Sequence, residues 1–368
     1  MTIQETPAAK AEMNLARHCP LVTCGQTVKR GERIATASAP GRGDIHAPCA
    51  GTVEHVDPYR IRIAPDEEGG TVAPEILDGL SGPELLARLR ELGADVPACD
   101  QVDTLIINGM DEEPGLLSRR TLMAEKLDIL KAGAEALVRG FVPVDVFLAV
   151  AGGVRESLPG MEVKVLSDQY PQPLDPLVAK AVTGIEMPDN TLVVGLETVF
   201  HAGLIMDSGL PVMETMVTVG NSARIITLGA PVGEILTNDG ETLRDGDRIV
   251  LGGVLRGLAA ASPGQGVDRA TTGVSLVRNP APVAVDAACV GCGECVRRCP
   301  ARLDPAMITS YAEFGQYAKA EAEAVDACFE CGLCGFFCIA RRPMLQYIRL
   351  AKSELAKAKA QSGEETQP

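Results

Sequence analysis

Two cysteine runs with the same internal spacing constrain this chain more than any other feature. Each follows the pattern C-x2-C-x2-C-x3-C, and the second run repeats the first at an offset of 39 residues. The first run comprises Cys289, Cys292, Cys295 and Cys299, and the second comprises Cys328, Cys331, Cys334 and Cys338. Three thiolates separated by two residues each can surround three corners of an iron–sulfur cube. The runs therefore predict two [4Fe–4S] clusters.

The fourth cysteine of each run is expected to cross to the other cluster, as in two-cluster arrangements of this spacing. One cluster is then held by Cys289, Cys292, Cys295 and Cys338, and the other by Cys299, Cys328, Cys331 and Cys334. Glycines inside the runs allow backbone N–H groups to approach the cluster sulfides. These glycines are Gly291, Gly293, Gly332 and Gly335.

Two other uses of paired cysteine motifs fit the spacing less well. Structural zinc sites use two C-x2-C pairs or mixtures of Cys and His, and have no role for a third cysteine two residues later. A disulfide framework requires an oxidising compartment, and the N-terminus has no basic start followed by an apolar block. The remaining cysteines, Cys19, Cys24, Cys49 and Cys99, are expected to be buried free thiols.

Composition excludes several classes of function. A net charge of −15 argues against nucleic acid as a partner, and 3% aromatic residues with no Trp leave little for base stacking. No apolar run reaches the roughly 18 residues of a membrane span. We therefore expect a protein without a transmembrane segment, located in the cytoplasm or peripherally on the inner face of the cell membrane. The length of 368 residues allows two to four domains.

The N-terminal residues 14–66 read as short strands separated by turns. Their glycine and apolar pattern resembles the barrel-sandwich fold of lipoyl and biotinyl carrier domains. A carrier presents a modified lysine at a hairpin tip, whereas the tip here is Gly41-Arg42-Gly43-Asp44. The pattern predicts a scaffold without a swinging arm. The histidines of this part, His18, His46 and His55, are interpreted as packing or surface residues.

The rest of the chain divides by its secondary-structure signals into an α/β part, a small β part and a helical part. Residues 75–209 alternate strands and helices, with one long helix after residue 111, which favours a mainly parallel sheet. From residue 190 onward, glycines follow short β-rich runs. Residues 210–262 are predicted to form a β-grasp domain, followed by a connector over residues 259–285. Residues 280–352 are predicted to be a helical two-cluster domain with a pair of helices between the cysteine runs, and residues 353–368 a tail. The predicted fold is therefore multidomain α/β plus β.

This order of parts resembles the C subunit of the Rnf electron-transport complex, the PduS-type cobalamin reductases and, in its middle, the NADH-binding flavoprotein subunit of complex I. Besides the cysteine runs, the resemblance rests on several short segments in the order of the family. They are HAPCAGTV, INGMDEEP, RRTLMAEK, QYPQPLDPLVAKAVTG, LETVFHAG, VTVGNSARI, GGVLRG and IARRPMLQYIRLAKSEL. The resemblance implies a complex-I-flavoprotein-like α/β domain and an SLBB-like β-grasp domain.

The chain departs from this family in one segment. Members that bind FMN and NADH carry a glycine-rich loop, followed by a lysine, whose N–H groups cradle phosphates. The corresponding stretch, ELGADVPACDQVDTLIING, has no such loop, and we expect a phosphate there to meet Asp95, Asp100 and Asp103. A later family motif for the flavin and nicotinamide survives in part as Asn108, Asp111, Glu112, Glu113 and Pro114. We interpret its acids as remnants on a solvated loop.

Three functions agree with these patterns. The first is an electron-transfer subunit that relays single electrons through the clusters between redox protein partners, which are other subunits of a membrane-associated complex. The second is an FMN-dependent NADH dehydrogenase that feeds the clusters. The third is a structural adaptor, in which the clusters serve only to stabilise the fold.

A few arginines and one histidine have either a functional role or an ordinary structural role. Arg297 and Arg298 lie beside the predicted first cluster, and Arg341 and Arg342 follow the second run. They either stabilise the reduced state or bind an acidic partner, or they are ordinary surface charges. His201 is a candidate proton carrier or a packed residue.

Overall fold

The computed structural model describes residues 10–66, 69–99, 101–280 and 288–362, and the chain forms two compact units. The first unit comprises Met1–Gly253 and Leu258–Arg278, and the second comprises Val254–Gly257 and Asn279–Pro368. Among the described residues, no helix combines the length and apolar character needed to cross a bilayer. The mixed α/β, multidomain class predicted from the sequence is confirmed.

The first unit begins with antiparallel strands in two small sheets. The strands are β1 (Ala11–Asn14), β2 (His18–Pro20), β3 (Thr27–Val28), β4 (Arg33–Ala37), β5 (Ile45–His46), β6 (Gly51–Val56) and β7 (Arg60–Pro65). One sheet has the order β1-β7-β6-β3 and the other β2-β4-β5. In β7 the two isoleucines, Ile61 and Ile63, are buried and alternate with arginines, as expected for a sheet with one face in a core. Strand β1 lies before the predicted limit at residue 14 and pairs with β7.

The hairpin tip at residues 41–44 is fixed inside the first unit. The Gly43 N–H donates to Asp95 Oδ1 at 2.9 Å, and the Gly43 carbonyl accepts from Arg269 Nη2 at 2.7 Å. A Cβ on Gly43 would lie 2.4 Å from the carbonyl carbon of Gly93. The buried Asp44 carboxylate accepts from the Ala37 N–H at 2.8 Å. The tip is thus a packed contact rather than a free arm.

A four-stranded parallel sheet with the order β10-β9-β8-β11 follows. Its strands are β8 (Thr104–Asn108), β9 (Asp145–Ala151), β10 (Glu162–Leu166) and β11 (Thr191–Gly195). Its helices are α1 (Gly82–Glu91), α2 (Ser118–Glu125), α3 (Leu127–Phe141), α4 (Asp175–Thr183) and α5 (Leu196–Ser208). The mainly parallel sheet expected for this part of the chain is observed.

Two helical features differ from the sequence-based expectation. The single long helix expected after residue 111 is divided at Lys126 into α2 and α3. The segment that forms α5 contains apolar and β-branched residues, which favour a strand. It is helical because it packs against α3 through glycines on both helices. A Cβ on Gly133 would lie 1.9 Å from the Val199 carbonyl oxygen, and one on Gly203 would lie 2.0 Å from that of Ile129.

The last sheet of the first unit has the order β13-β12-β16-β14-β15. Its elements are β12 (Glu214–Val219), β13 (Ser222–Thr227), α6 (Val232–Asn238), β14 (Arg248–Leu251), β15 (Leu258–Ala259) and β16 (Gly273–Val277). Strand β16 lies in the middle, parallel to β12 and antiparallel to β14. The predicted limit at residue 262 and the connector over 259–285 are therefore wrong for β16. The connector's end and Asp100 lie outside the described residues.

The second unit is helical and repeats its elements with the offset of the cysteine runs. The helices are α7 (Glu294–Arg297), α8 (Pro305–Glu313), α9 (Tyr317–Ala322), a 3-10 turn at Val325–Ala327, α10 (Leu333–Phe336) and α11 (Met344–Ser362). Helices α7 and α10 start 39 residues apart, and so do α8 and α11. The helical character and the helix pair between the runs agree with the prediction. The tail predicted from residue 353 is helical as far as Ser362, because α11 continues.

The close approach of α3 and α5 predicts a large effect of one methyl group. Gly133→Ala should destabilise the protein by about 1–3 kcal/mol, because the added Cβ has no space beside the Val199 carbonyl. Gly152→Ala is the matched control, since a Cβ there meets no atom within 4 Å. Calorimetric unfolding midpoints should fall for Gly133→Ala alone. Equal midpoints for the two variants would contradict the packing described.

Candidate metal centre

The eight cysteines of the two runs line two separate cavities in the second unit. Cys289, Cys292 and Cys295 share the first cavity with Cys338 from the other run. Cys328, Cys331 and Cys334 share the second cavity with Cys299. Each cavity thus brings together three cysteines of one run and the fourth cysteine of the other.

The local backbone explains this exchange. In each run a glycine in the left-handed region, Gly293 (φ 72°) or Gly332 (φ 75°), caps the short helix that carries the third cysteine. The fourth cysteine follows directly after that helix, which carries it away from the first three. The chain then turns at Arg302 (φ 57°) or Arg341 (φ 52°) before the next helix begins. The two halves therefore have matching backbone turns.

Backbone N–H groups point at cysteine sulfurs in both halves. Gly291 donates to Cys289 Sγ and Glu330 donates to Cys328 Sγ, each at 3.4 Å. Such bonds stabilise negative charge on sulfur and tune a cluster's potential. Glu330 (φ 56°) occupies the position that corresponds to Gly291, although its backbone conformation favours glycine. The expectation for Gly335 is not met, because its N–H donates to the Gly332 carbonyl.

The buried thiols of the second cavity suit an iron–sulfur cluster. Burial raises the pKa of Cys334 to about 12 and that of Cys331 to about 11, and the neighbouring thiols add to both shifts. Bound iron supplies the positive charge that makes such buried thiolates favourable. No three His, Cys, Asp or Glu side chains within the described ranges converge closely enough for a single metal ion.

A charged network that the sequence analysis missed borders the second cavity. Glu330 accepts from Arg349 Nε at 2.7 Å and from Lys352 Nζ at 3.2 Å. Lys352 also donates to the carbonyl of Cys328. Burial of Glu330 opposes its charge, but Arg349 and Lys352 outweigh burial and lower the pKa of this carboxyl. The arginine and lysine lie at i and i+3 on α11, which is the only signal for them in the sequence.

The four cysteines outside the runs have no common site. No disulfide links the described cysteines. Cys19, Cys24 and Cys99 are exposed and Cys49 is half-buried, so the expectation that all four are buried is wrong. Cys19, Cys24 and Cys99 lie in a short strand and loops at the surface, whereas Cys49 packs against the core.

A cavity of about 490 Å³ lies beside the carboxyl ends of β8 and β9 in the α/β part. Open parallel sheets bind their ligands at this end. Its charged lining consists of Asp111, Glu113, Asp168 and Arg120, and Arg120 Nε is paired with Asp111 at 2.5 Å. Three carboxylates and one paired guanidinium do not fit the phosphate of FMN.

The surviving motif residues beside this cavity are held in the protein interior. Asn108 is fully buried and donates from Nδ2 to the Pro173 carbonyl and to Asp175, each at 2.8 Å. Glu113 is buried, and a Cβ on Gly253 would lie 2.1 Å from its carboxyl carbon. Asn108 and Glu113 therefore do not lie on a solvated loop, whereas the interpretation of the acids as remnants stays a prediction.

Glu112 belongs to an ion network around the buried Arg119. Arg119 donates from Nη2 to Glu112 at 2.6 Å and from Nε to Glu197 at 3.0 Å. Burial opposes the charge of Arg119, but Glu197 and Glu112 outweigh it and raise the pKa of this guanidinium. Glu112 thus compensates a buried charge, which accounts for an acid at this position.

Two of the carboxylates expected to repel a phosphate, Asp95 and Asp103, lie away from this cavity. Asp95 binds Arg42, Arg269 and the N–H of Gly43 at the hairpin tip. Asp103 precedes β8 and accepts from Asn190 Nδ2 at 2.9 Å. Because residues that precede parallel strands lie at the amino end of the sheet, Asp103 is opposite the cavity. The lining of the cavity, and not Asp95 or Asp103, is therefore what does not fit an FMN phosphate.

His201 is a packed residue. It is buried in α5, and its Nε2 lies 3.0 Å from Thr215 Oγ1. Burial, assisted by the charge of Arg269, lowers the pKa of His201 to about 3. A histidine that stays neutral throughout the physiological range cannot carry protons. His46 is also buried, with its pKa lowered to about 4 by burial and by Arg269.

Comparison with known proteins places the geometry in a family context. Residues 281–339 match the model of the 4Fe-4S dicluster domain, so the second unit carries a two-cluster iron–sulfur domain. The chain is 27% identical to the C subunit of the ion-translocating oxidoreductase complex of Rhodobacter capsulatus, across 97% of this chain and 78% of that protein.

Two further relatives and one solved structure are similar to the chain. The chain is 25% identical to the C subunit of the proton-translocating ferredoxin:NAD(+) oxidoreductase complex of Clostridium ljungdahlii, over 91% of this chain and 84% of that protein. It is also 25% identical to the C subunit of the Na(+)-translocating ferredoxin:NAD(+) oxidoreductase complex of Acetobacterium woodii, over 91% of this chain and 87% of that protein. An NAD+-reducing [NiFe]-hydrogenase structure aligns with a TM-score of 0.43 at 15% identity, covering 79% of this chain and 66% of its own. The predicted resemblance to the Rnf C subunits is confirmed by the sequence relatives.

The buried histidines predict a loss of stability in acid. His46 and His201 have pKa values near 4 and 3 in the fold and an ordinary value of 6.5 when exposed. The unfolded chain therefore binds more protons below pH 6.5, and the free energy of unfolding should fall by up to about 1.4 kcal/mol per pH unit for each histidine. When the free energy of unfolding is measured with urea between pH 7 and pH 5, it should change less with pH for His201→Gln than for the natural protein. Parallel profiles would contradict the assignment.

Proposed function

We propose that this chain, which resembles the C subunits of ion-translocating oxidoreductase complexes over nearly its whole length, is an iron–sulfur electron-transfer subunit of a redox complex. The observation that carries the proposal is the pair of cysteine cavities, each lined by four cysteines drawn from both runs. Two [4Fe–4S] clusters bound there would accept and release single electrons. The protein holds the sulfurs, excludes water from the buried site and sets the local charge.

The ligand sets follow the cavity linings. Cys289, Cys292, Cys295 and Cys338 hold one cluster, named cluster 1. Cys299, Cys328, Cys331 and Cys334 hold the other, named cluster 2. The proposal is supported by the N–H groups that donate to Cys289 and Cys328, since these bonds favour thiolates.

The partners are other subunits of a membrane-associated electron-transport complex. The relatives are named as subunits of ion-translocating oxidoreductase complexes. By likeness to them, this chain works as a peripheral subunit on the cytoplasmic side of the membrane.

The remaining parts serve as a scaffold around this function. Residues 11–66 form a lipoyl-like barrel-sandwich, and residues 210–277 form an SLBB-like β-grasp domain. The barrel assignment is supported by the two small antiparallel sheets, and the grasp assignment by the mixed sheet with α6. A carrier role has no support, because the hairpin tip is packed against Asp95 and Arg269.

The two other functions are weaker. An FMN-dependent dehydrogenase needs a phosphate site, and the cavity at β8 and β9 presents mainly carboxylates. A structural adaptor predicts clusters that cannot be reduced and reoxidised within the protein. Spectroelectrochemical titration of the anaerobically purified chain distinguishes it from the proposed function, which requires two reversible one-electron centres.

Crossed ligation predicts which variants lose the same cluster. Cys299→Ser should remove cluster 2, so its EPR spectrum should match that of Cys331→Ser and differ from that of Cys292→Ser. Iron content should fall from about eight to about four atoms per chain. Cys19→Ser is the control and should keep both clusters. If Cys299→Ser instead matches Cys292→Ser, each run holds its own cluster.

The charged network at cluster 2 predicts opposite shifts of its midpoint potential. Glu330→Gln removes a negative charge and should raise the potential, whereas Lys352→Gln should lower it, each on the order of tens of millivolts. Lys357→Gln, whose partner is Glu354 on the same helix, is the control. Redox titration followed by EPR measures the shifts. Shifts of the same sign in both variants would contradict an electrostatic role.

A further inference from the structure

The two cysteine cavities face solvent to different extents. Around the first, Val290 is 63% exposed and Ile339 is 69% exposed, and Cys289 is itself exposed. Around the second, Ile308 and Ile348 are buried. The first cavity therefore has an apolar rim at the surface, while the second lies inside the helical core.

A segment from elsewhere in the chain accounts for part of this difference. Val254–Gly257 belongs to the second unit and covers Gly332, where a Cβ would lie 2.4 Å from the Leu255 carbonyl oxygen. Arg349 Nη2 holds the same segment by donating to the Arg256 carbonyl at 2.7 Å. At Gly293, the equivalent position of the first half, a Cβ would meet only Arg297 Nη1, at 3.4 Å. The cover is thus present in one half of the repeat.

The exposed rim carries excess positive charge. Arg297, the last residue of α7, and Arg298, which caps that helix, share one carboxylate, since Glu294 bonds to Arg297 and lies 3.6 Å from Arg298 Nε. The Arg298 guanidinium also lies 4.4 Å from the centre of the Phe337 ring. That ring contacts Phe336, which is 68% exposed. The result is an apolar and cationic surface beside the first cavity.

The other arginines after the second run divide between surface and core. Arg341, three residues after Cys338, is exposed and makes no ion pair within the described part of the chain. Arg342 is buried and bonds to Glu313. Whereas the whole chain has a net charge of −15, the second unit contains eleven Lys and Arg and eleven Asp and Glu, so the negative charge of the chain lies in the first unit. The positive charge of the rim is therefore a local feature of the rim residues.

We infer that this surface is the docking site for an acidic one-electron redox protein. We define the rim as Val290, Val296 and Ile339, which line the first cavity, together with the exposed residues Arg297, Arg298, Phe336 and Arg341, each within two residues of a lining residue. The carboxylate of Asp304 also lines this cavity, where it caps α8. The inference rests on the proposed function, because it requires cluster 1 in the first cavity. Cluster 1 exchanges electrons with the partner and cluster 2 is internal. Positive charge steers an acidic face to the rim, and the exposed apolar side chains give the contact an interior that excludes water.

The step itself transfers one electron. The reduced centre of one protein is oxidised by one electron and the oxidised centre of the other is reduced by one, with no bond or proton exchanged. Electron tunnelling weakens steeply with distance, so a partner must contact the protein near the exposed cavity. The buried lining of the second cavity keeps a partner farther away there.

The test uses the full chain with its clusters assembled and two probe proteins of opposite charge. Stopped-flow absorbance measures the second-order rate constant of electron transfer in two reactions. In the first, the chain reacts with an acidic two-[4Fe–4S] ferredoxin, in the direction in which electron transfer is spontaneous. In the second, the reduced chain transfers electrons to basic cytochrome c. With ferredoxin the rate constant should fall as NaCl rises from about 20 mM to about 500 mM. Arg297→Gln/Arg298→Gln should lower it about tenfold or more at low salt. With cytochrome c the same variant should keep or raise the rate constant.

Two matched variants complete the design. Arg297→Lys/Arg298→Lys keeps the charge and should recover most of the rate. Lys357→Gln/Lys359→Gln removes the same charge from α11 and should leave the rate within about twofold. The inference is overturned if the α7 and α11 variants behave alike, or if cytochrome c loses rate equally. Clusters that cannot be reduced and reoxidised would instead refute the proposed function.

Discussion

The second unit depends on one constraint, which is that each cysteine cavity needs sulfurs from both runs. Neither run alone supplies four cysteines to one cavity. The helices between and after the runs must therefore pack so that Cys299 and Cys338 reach across. The buried side chains of α8 and α11, such as Ile308 and Ile348, form the core that fixes this arrangement. Cluster binding and folding of this unit are consequently expected to be coupled.

Buried charges organise the first unit in a comparable way. Arg269 is largely buried and donates to the carbonyls of Gly43 and Asp44 while pairing with Asp95. Arg119 similarly holds Glu112 and Glu197. Removing one partner from such a group leaves an uncompensated charge, which is strongly destabilising. Glu112 is thus held here by a contact with a buried guanidinium.

The sequence predicted those features that depend on short-range spacing. The cysteine pattern places the ligands, glycines and flanking helices within one run, and the same rules apply to the next. The strands of the parallel sheet follow from continuous apolar runs at β8 and β9. Features formed by distant segments were missed. Strand β16 inserts between β12 and β14, and nothing in its five residues identifies its neighbours. Helix α5 was also hard to predict, because the glycines that allow its contact with α3 are equally typical of turns.

The segment Val254–Gly257 limits how independent the cysteine domain is. It is separated in sequence from the rest of its unit, yet Gly332 packs directly on its backbone and Arg349 is bonded to it. A fragment that starts at residue 279 would lack this segment, so Gly332 and Arg349 would lose their contacts with it. The two cysteine runs therefore do not form a self-contained segment. To keep their contacts in another protein, the four-residue loop between β14 and β15 has to be included.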